Sequence, residues 1–261
     1  MGAATRTSVT DGIAALAAVQ KPDPALGEEL LAAARSLGAS HQLVAVLADA
    51  GVPTEQRVGL VDRVFASLGV QTRSLLGTLV SGRWSTPEDL VEGVEEIGFR
   101  AVAAQPASAG LDGELFTVLR TVGSDGRLEL ALGGSASPLE ARLKLVDALL
   151  ADAKPATRTI VRHVVQLPRG RKPIEALRAA QAIVAAANDQ VVAIVQTATP
   201  LSTAQASALA ARLEAGYQRK IVLNQIVEPD LVGGVRITVG DDVIDGTVRA
   251  RLDDLRQRLA G

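Results

Sequence analysis

The chain has no cysteine and very few aromatic residues, and each shortage excludes a class of chemistry. Without cysteine there is no disulfide, no thiolate metal site and no cysteine nucleophile. Phenylalanine, tryptophan and tyrosine together make up only 2% of the 261 residues. The core must therefore be built mainly from alanine, leucine and valine, which favours closely packed helices.

Long hydrophobic runs and an excess of positive charge are also missing. No stretch of about 18 uninterrupted apolar residues occurs, so we expect no segment that spans a bilayer. The first eleven residues are small and polar, unlike a signal peptide. The formal net charge of −2 does not favour nucleic acid as a partner. We expect a soluble chain with no direct membrane insertion and no nucleic acid partner, which reaches any membrane only through another subunit.

The charge is unevenly distributed along the chain. Residues 1–110 carry a net charge of −4, residues 111–188 carry +3 and residues 189–261 carry −1. An acidic block beside a basic block indicates either separate partner surfaces or ordinary solvated charge. The most basic stretch is the loop 167–173, LPRGRKP. We interpret it as a solvated loop, with an acidic protein partner as the alternative.

Motifs that carry catalysis or bind cofactors are absent from the sequence. There is no phosphate-binding G-x-x-x-x-G-K-[ST] string, no G-x-G-x-x-G, no G-x-S-x-G and no H-E-x-x-H. The two histidines, His41 and His163, are far apart and have no neighbouring acidic residue or histidine at metal-ligand spacing. We therefore predict no catalytic, cofactor-binding or metal-binding residues.

An internal repeat with an offset of 85 residues organises the first two thirds of the chain. Alanine and leucine positions in two helical regions can coincide by chance, but the repeat also matches proline, acidic residues and a Thr-Arg pair at one offset. Glu29, Pro53, Asp62 and Thr72-Arg73 recur as Glu114, Pro138, Asp147 and Thr157-Arg158, and Pro87 recurs as Pro173 after a one-residue slip. Apolar residues at helical spacing follow each proline. The sequence predicts two antiparallel helical bundles, residues 1–107 and 108–188.

The pattern changes in residues 189–261, which we predict to form a small β-α-β-β-α domain. Residues 191–197 are β-branched and read as a strand, and Ser202 and Gln205 form a capping box at the start of a helix. Alternation over residues 221–226 and 235–239 predicts two further strands. A helix over residues 247–259 closes the chain. The fold class is therefore mainly α, with a C-terminal α+β unit.

Two groups of residues in this domain are candidates for function. The first surrounds a glycine corner, an acidic turn and an Asp-Gly pair before the closing helix, and we interpret it as structural. Its members are Gly233, Gly234, Arg236, Gly240, Asp241, Asp245, Gly246 and Arg249. The second is an apolar seam at coiled-coil spacing on the closing helix: Val248, Leu252, Leu255 and Leu259. The seam either packs on the domain's own sheet or docks a partner helix.

The C-terminal string from Leu231 to Leu252 resembles the signature of the delta subunit of rotary ATP synthases, the oligomycin-sensitivity-conferring protein family. The duplicated helical region resembles the long actinobacterial form. The resemblance implies a non-catalytic peripheral-stalk subunit of a proton-translocating F1Fo ATP synthase. Its partners would be the F1 alpha subunit N-termini and subunit b, and it would stop F1 from rotating with the central stalk. It would lie on the cytoplasmic side of the cell membrane, as a peripheral part of the complex.

Two other classes of function stay open on the residues alone. One is a helical-repeat adaptor unrelated to ATP synthase, although two repeats are few for a solenoid. The other is a small-molecule enzyme with an unrecognised site. Within the resemblance, the extra helical copy at residues 25–105 is expected to lengthen the bridge or to add a stator contact.

Overall fold

The computed structural model describes residues 2–134, 137–240, 242–250 and 252. The chain divides into two compact units, Met1–Val184 and Ala185–Gly261. The first unit is helical, and the second contains a four-stranded sheet. The first helical copy and all but the end of the second fall within the first unit.

Helices of the first unit follow the repeat that the sequence predicts. After α1 (Ala3–Ala17), the first copy contains α2 (Leu26–Gly38), α3 (His41–Ala48), α4 (Thr54–Val64), α5 (Val70–Ser81) and α6 (Pro87–Ala103). A short 3₁₀ turn (Pro106–Ser108) leads to α7 (Leu111–Ser124), α8 (Gly126–Gly133), α9 (Leu139–Leu149), α10 (Pro155–Gln166) and α11 (Pro173–Ala187). Helices α7 to α10 each begin 85 residues after their counterparts, and α11 begins 86 residues after α6. The duplication is confirmed.

The two copies also share a hydrogen-bonding device at the start of their equivalent helices. Glu29 Oε2 accepts hydrogen bonds from the Gly69 amide at 2.9 Å and from the Thr72 hydroxyl, at the beginning of α5. The same bonds recur at the beginning of α10, where the three positions are Glu114, Lys154 and Thr157. A carboxylate placed there satisfies amide groups that have no partner within the helix and complements the helix dipole.

Prolines lie at the starts of helices in both copies, either as the first helical residue or as the N-cap. Pro87, Pro155 and Pro173 are the first residues of their helices, where the missing amide hydrogen costs nothing. Pro53 and Pro138 lie one residue before their helices, as the N-caps of α4 and α9. The extended backbone that an N-cap adopts suits proline as well, so the sequence pattern placed the helices correctly to within one residue.

Small residues bring α2 and α6 together at the centre of the first unit. A Cβ added to Gly27 would lie 2.8 Å from the backbone nitrogen of Val102, so glycine is required for this approach. Leucines fill the space on both sides of the contact, and Leu30 and Leu90 are completely buried. The shortage of aromatic residues is thus matched by close helix packing, as the composition predicts.

The second unit contains a mixed four-stranded sheet and a helix that lies between the first two strands in the chain. Its elements are β1 (Gln190–Thr197), α12 (Thr203–Tyr217), β2 (Lys220–Val227), β3 (Val235–Val239) and β4 (Asp242–Asp245). The strand order is β2-β1-β3-β4, with β1 parallel to β2 and all other pairs antiparallel. The predicted capping box at Ser202 and Gln205 is present at the start of α12. Ala193, Val195, Leu213, Ile237 and Val239 form the core.

Strand β4 is absent from the predicted β-α-β-β-α order. Residues after Gly240 were expected to form only an acidic turn, but Asp242–Asp245 pairs with β3 across a hairpin. Its aspartates and its exposed position at the sheet edge hide the alternation that marks a half-buried strand. The closing helix is described only at residues 248–250 and 252.

Among the residues that the structure describes, no single helix has the length and hydropathy to cross a bilayer. One pair of consecutive helices, α2 and α3, meets those criteria jointly and is bent by 106° between them.

Candidate partner-binding site

The glycine corner of the second unit is built by a close backbone approach. Gly233 and Gly234 have φ angles of +98° and +85°, in the left-handed region that favours glycine. A Cβ on Gly234 would lie 2.4 Å from the carbonyl oxygen of Gly246 and 2.7 Å from Thr247 Cα. The Gly233 carbonyl accepts a hydrogen bond from the amide of Val248 at 3.1 Å. The corner therefore holds the chain immediately before the closing helix.

Asp245 joins the strand side of this corner to the helix side. Its carboxylate accepts hydrogen bonds from the Arg236 guanidinium at 2.7 and 3.0 Å, and from the amide and hydroxyl of Thr247 at 3.0 and 2.7 Å. The Thr247 hydroxyl in turn accepts from the Ala250 amide at 3.2 Å, as an N-cap does. The bonds from Thr247, followed by those from Arg236, lower the pKa of Asp245 to about 2. The carboxylate stays ionised at any physiological pH and fixes the direction in which the helix starts.

The start of the seam is exposed on this fixed helix. Val248 is 39% exposed and Leu252 is 49% exposed. Arg249 is exposed beside them, as the seam pattern requires. Leu255 and Leu259, and Asp241 in the preceding turn, lie outside the described residues. The two described seam residues therefore present apolar side chains to solvent.

A second group of polar residues, which the sequence did not reveal, joins the two helical copies. Glu95 on α6 is 2% exposed. Its carboxylate accepts hydrogen bonds from the guanidinium groups of Arg169 and Arg171, the latter at 3.2 and 3.4 Å. His163 Nε2 lies 3.1 Å from Glu95 Oε1. The basic loop 167–173 was predicted to be solvated, but its arginines are paired within the chain to an acidic residue of the first copy.

His163 is completely buried, and its neighbours determine its protonation. Arg35 Nη1 lies 3.1 Å from His163 Nδ1, and a guanidinium can only donate. Nδ1 must therefore be the acceptor, so Nε2 carries the hydrogen and donates it to Glu95. The ring also meets Phe99 edge to face, with ring centroids 5.4 Å apart. The histidine is thus held neutral, between a cation on α2 and an anion on α6.

Burial and neighbouring groups together hold the pKa values of His163 and Glu95 below their ordinary values. Burial lowers the pKa of His163 more than the hydrogen bond and charge of Glu95 raise it. Burial alone would raise the pKa of Glu95, but the bond from His163 and the charges of Arg169 and Arg171 bring it below its ordinary value. Glu95 is therefore charged, and His163 neutral, at neutral pH.

These pKa directions predict a pH dependence of stability. A histidine whose pKa is lowered by folding stabilises the fold above its unfolded pKa of about 6.5, and this contribution is lost as the pH falls. Because the pKa of Glu95 lies below its usual value, Glu95 stays ionised down to pH 5. We expect the free energy of unfolding, followed by fluorescence of the single tryptophan Trp84, to fall between pH 7.5 and pH 5.5. The His163→Gln variant can make both hydrogen bonds without titrating, so its slope in this range should be flatter; an equal slope would contradict the assignment.

One signal for this cluster is present in the repeat. His163 lies in the apolar stripe of α10, between Ile160, Val161 and Val164, and the equivalent residue of the first copy is Thr78. A large polar residue in an apolar stripe indicates a buried partner. His41 lies 4.0 Å from Glu88 at the surface. Across the described ranges, no group of three or more histidine and acidic side chains is arranged to hold a metal ion.

A mainly helical unit and a small mixed sheet, with apolar side chains exposed at the start of the closing helix, define the class of fold. Comparison with protein families identifies the class further. The model of the family "ATP synthase delta (OSCP) subunit" matches residues 99–259. The chain belongs to this family.

Full-length relatives include the first helical copy, which the family model does not cover. ATP synthase subunit delta of Leifsonia xyli subsp. xyli is 43% identical over 264 residues, covering 100% of both chains. The subunit of Thermobifida fusca is 36% identical over 269 residues, again with 100% of both chains. That of Streptomyces avermitilis is 37% identical over 90% of this chain and 88% of its own. The resemblance to the long form of the delta subunit is confirmed.

A chain of the solved mitochondrial ATP synthase hexamer of Toxoplasma gondii is similar to this chain. It covers 62% of this chain and 93% of its own, with 20% identity and a TM-score of 0.38, which is too low to carry an argument about structure. Membership of the delta (OSCP) family identifies the role of the chain without this structural comparison. It makes the chain a non-catalytic, peripheral-stalk subunit of an ATP synthase, and it replaces the alternatives of an unrelated adaptor and of an enzyme.

Proposed function

We propose that the chain bridges the N-termini of the F1 alpha subunits and the end of subunit b. The second unit grips subunit b through the seam of the closing helix, and the helical unit binds alpha. The observation that carries this proposal is the exposure of Val248 and Leu252 on a helix whose start is fixed by the glycine corner and by Asp245. An apolar seam at heptad spacing fits a partner helix.

The static role explains why the corner must be stiff. The stator has to resist the torque that the turning central stalk applies to F1. A connector under load needs broad helix-to-helix contacts and few internal hinges, and it needs no catalytic pocket. The hydrogen bonds of Asp245 and the close approach of Gly234 to Gly246 remove a hinge where the load would pass from the sheet to the helix.

We assign the predicted segments to separate tasks within this bridge. Residues 189–261 form the stator-binding segment. Residues 108–188 carry the alpha contact, because the family model includes this copy and begins only at residue 99. Residues 1–107 extend the bridge. The chain is then held at the cytoplasmic side of the cell membrane by its partners, as a peripheral part of the complex.

A charge placed in the seam tests the contact with subunit b. We expect Leu252→Asp to weaken binding of the full chain to the purified soluble part of subunit b at least tenfold, measured by calorimetry, because an aspartate would be buried without a partner. Val243→Asp is the control, since Val243 is 61% exposed on β4 and outside the seam. Both variants should bind F1 as the unmodified chain does. Equal binding of subunit b by the two variants would contradict the proposal.

A further inference from the structure

The polar cluster around His163 joins the two helical copies to each other. The second copy contacts α2 and α6 of the first copy through α10. On α10, His163 lies 3.1 Å from Arg35 of α2 and 3.1 Å from Glu95 of α6. Arg169 and Arg171, in the loop after α10, donate to the same carboxylate. Each of these bonds has one partner in each copy, so the cluster fastens the second copy to the first.

The core of the first copy is built from its own helices. Its described buried residues all lie within residues 9–101, and Leu30 and Leu90 among them are completely buried. From the second copy, the partly buried Leu167 packs against this core. It lies beside Gly38, where an added Cβ would be 2.6 Å from Leu167 Cδ1. Opening the junction would therefore expose Leu167 and the polar cluster while the core of the first copy stays packed.

A proton added to His163 would not be accommodated in the closed arrangement. The neutral ring accepts at Nδ1 from Arg35 and donates from Nε2 to Glu95. With a proton on Nδ1, two hydrogen-bond donors and two cations would face each other at 3.1 Å. Glu95 offers little compensation, because its carboxylate is already shared by Arg169 and Arg171. One buried anion would then have to compensate four cationic groups.

Four further acidic residues on the helices around this junction already act on cations of their own. These pairs are Glu28 with Arg35, Glu92 with Arg169, Glu96 with Arg100, and Asp147 of α9 with Arg162 of α10. The acidic residues of α7, Asp112 and Glu114, lie in its first turn. Glu114 bonds to Lys154 at the start of α10, whereas His163 lies in the last turn of that helix. The 3₁₀ turn has no charged residue. A protonated His163 is therefore a cation in excess.

We propose that His163 and Glu95 form a pH-sensitive latch: protonation of His163 separates α10 and the loop 167–173 from α2 and α6, and both copies stay folded. In the open form, water solvates the added charge and accepts from both ring nitrogens. Because burial lowers the pKa of His163 in the closed form, the open form binds the proton more readily. The ratio of open to closed forms should rise by up to about tenfold for each pH unit below about 6.5.

Distances between spin labels in the purified full chain test the latch. The chain has no cysteine, so Gln56→Cys on α4 and Ala141→Cys on α9 place one label at equivalent, exposed positions of the two copies. Double electron–electron resonance should give one population of distances at pH 7.5 and a second, displaced population at pH 5.0. A control pair within the first copy, Gln56→Cys and Glu88→Cys, should give the same distances at both pH values. A single unchanged population between the copies would overturn the inference. An equal change in the control pair would also overturn it, because the chain would then be unfolding.

Two substitutions separate the titration of His163 from other effects of acid. His163→Gln keeps a donor and an acceptor without titrating, so it should keep one population of distances at pH 5.0. Arg35→Gln supplies an amide oxygen that can accept the Nδ1 hydrogen, so its opening should shift to lower pH by about half a unit or more. Opening of His163→Gln at pH 5.0, or an unshifted opening of Arg35→Gln, would contradict the latch.

The unmodified side chains still decide the inference if a variant fails to fold, as circular dichroism would show. In that case the two label pairs in the chain with His163 and Arg35 give the result. The latch is a property of the isolated chain, so its failure would leave the proposed function intact.

Discussion

Replacing Glu95 with alanine is expected to lower the free energy of unfolding of the helical unit by about 3–5 kcal/mol. The change leaves Arg169 and Arg171 without their shared anion and removes the acceptor of the His163 Nε2 hydrogen. Removing the anion costs more than the cluster contributes, because the groups left behind are largely shielded from water: His163 is completely buried, and the Arg169 and Arg171 side chains are 18% and 26% exposed. Urea unfolding followed by fluorescence of Trp84, which is 9% exposed in the first unit, measures the loss.

Glu92 provides the matched control, since it lies on the same helix and also contacts Arg169. Its carboxylate is 3.4 Å from the Arg169 guanidinium, but its side chain is 37% exposed. An exposed pair of this kind contributes about 0–1 kcal/mol. We therefore expect Glu92→Ala to change the unfolding free energy by less than about 1 kcal/mol. Similar losses for the two variants would show that burial does not determine the strength of this cluster.

Replacing Gly234 with alanine should have the second largest effect, in the other unit. Its backbone has φ +85°, and the new methyl group would lie 2.4 Å from the Gly246 carbonyl oxygen. The unfavourable backbone conformation costs about 1–3 kcal/mol, and the overlap with main-chain atoms cannot be relieved by rotating a side chain. We expect the second unit to lose on the order of 3 kcal/mol, measured by urea unfolding of the full chain with circular dichroism. Affinity for subunit b should fall with it, because the closing helix loses its fixed start.

Gly240 allows the cost of the backbone conformation to be separated from the overlap. It also has positive φ, +58°, but among the described residues, apart from its own chain neighbours, no atom lies within 4 Å of the position of an added Cβ. Gly240→Ala should therefore lose only about 1–2 kcal/mol, the cost of the left-handed conformation. If Gly234→Ala were no more destabilising than Gly240→Ala, the contact between the glycine corner and the chain before the closing helix would not be important for stability.

Features set by local sequence were predictable from the sequence. The capping box of Ser202 and Gln205 marked the start of α12, and the prolines and Glu29 repeated at a fixed offset because each copy needs the same helix starts. These signals depend on neighbours within one turn, or on the comparison of two copies of one chain. They indicated the helices that follow prolines, the helix that follows Ser202, and three of the four strands in the described part of the chain.

Features set by distant contacts were not predictable in the same way. Glu95 meets His163 across 68 residues and Arg169 across 74, and no local pattern specifies such a pairing. The uneven charge of the sequence is consistent with this pairing, because the acidic first copy and the basic second copy meet at this cluster. Strand β4 was missed for another reason: it lies at an exposed sheet edge, where burial does not impose alternation.

Coupling between ATP hydrolysis and proton pumping tests the central claim most directly. Inverted membrane vesicles are prepared from cells whose ATP synthase lacks this chain, with F1 added back, and are assayed for ATP-driven acidification with and without the purified chain. If the chain is the static bridge between alpha and subunit b, hydrolysis should proceed without it while acidification is lost, and adding the chain should restore acidification. Full acidification in vesicles without the chain would contradict the account.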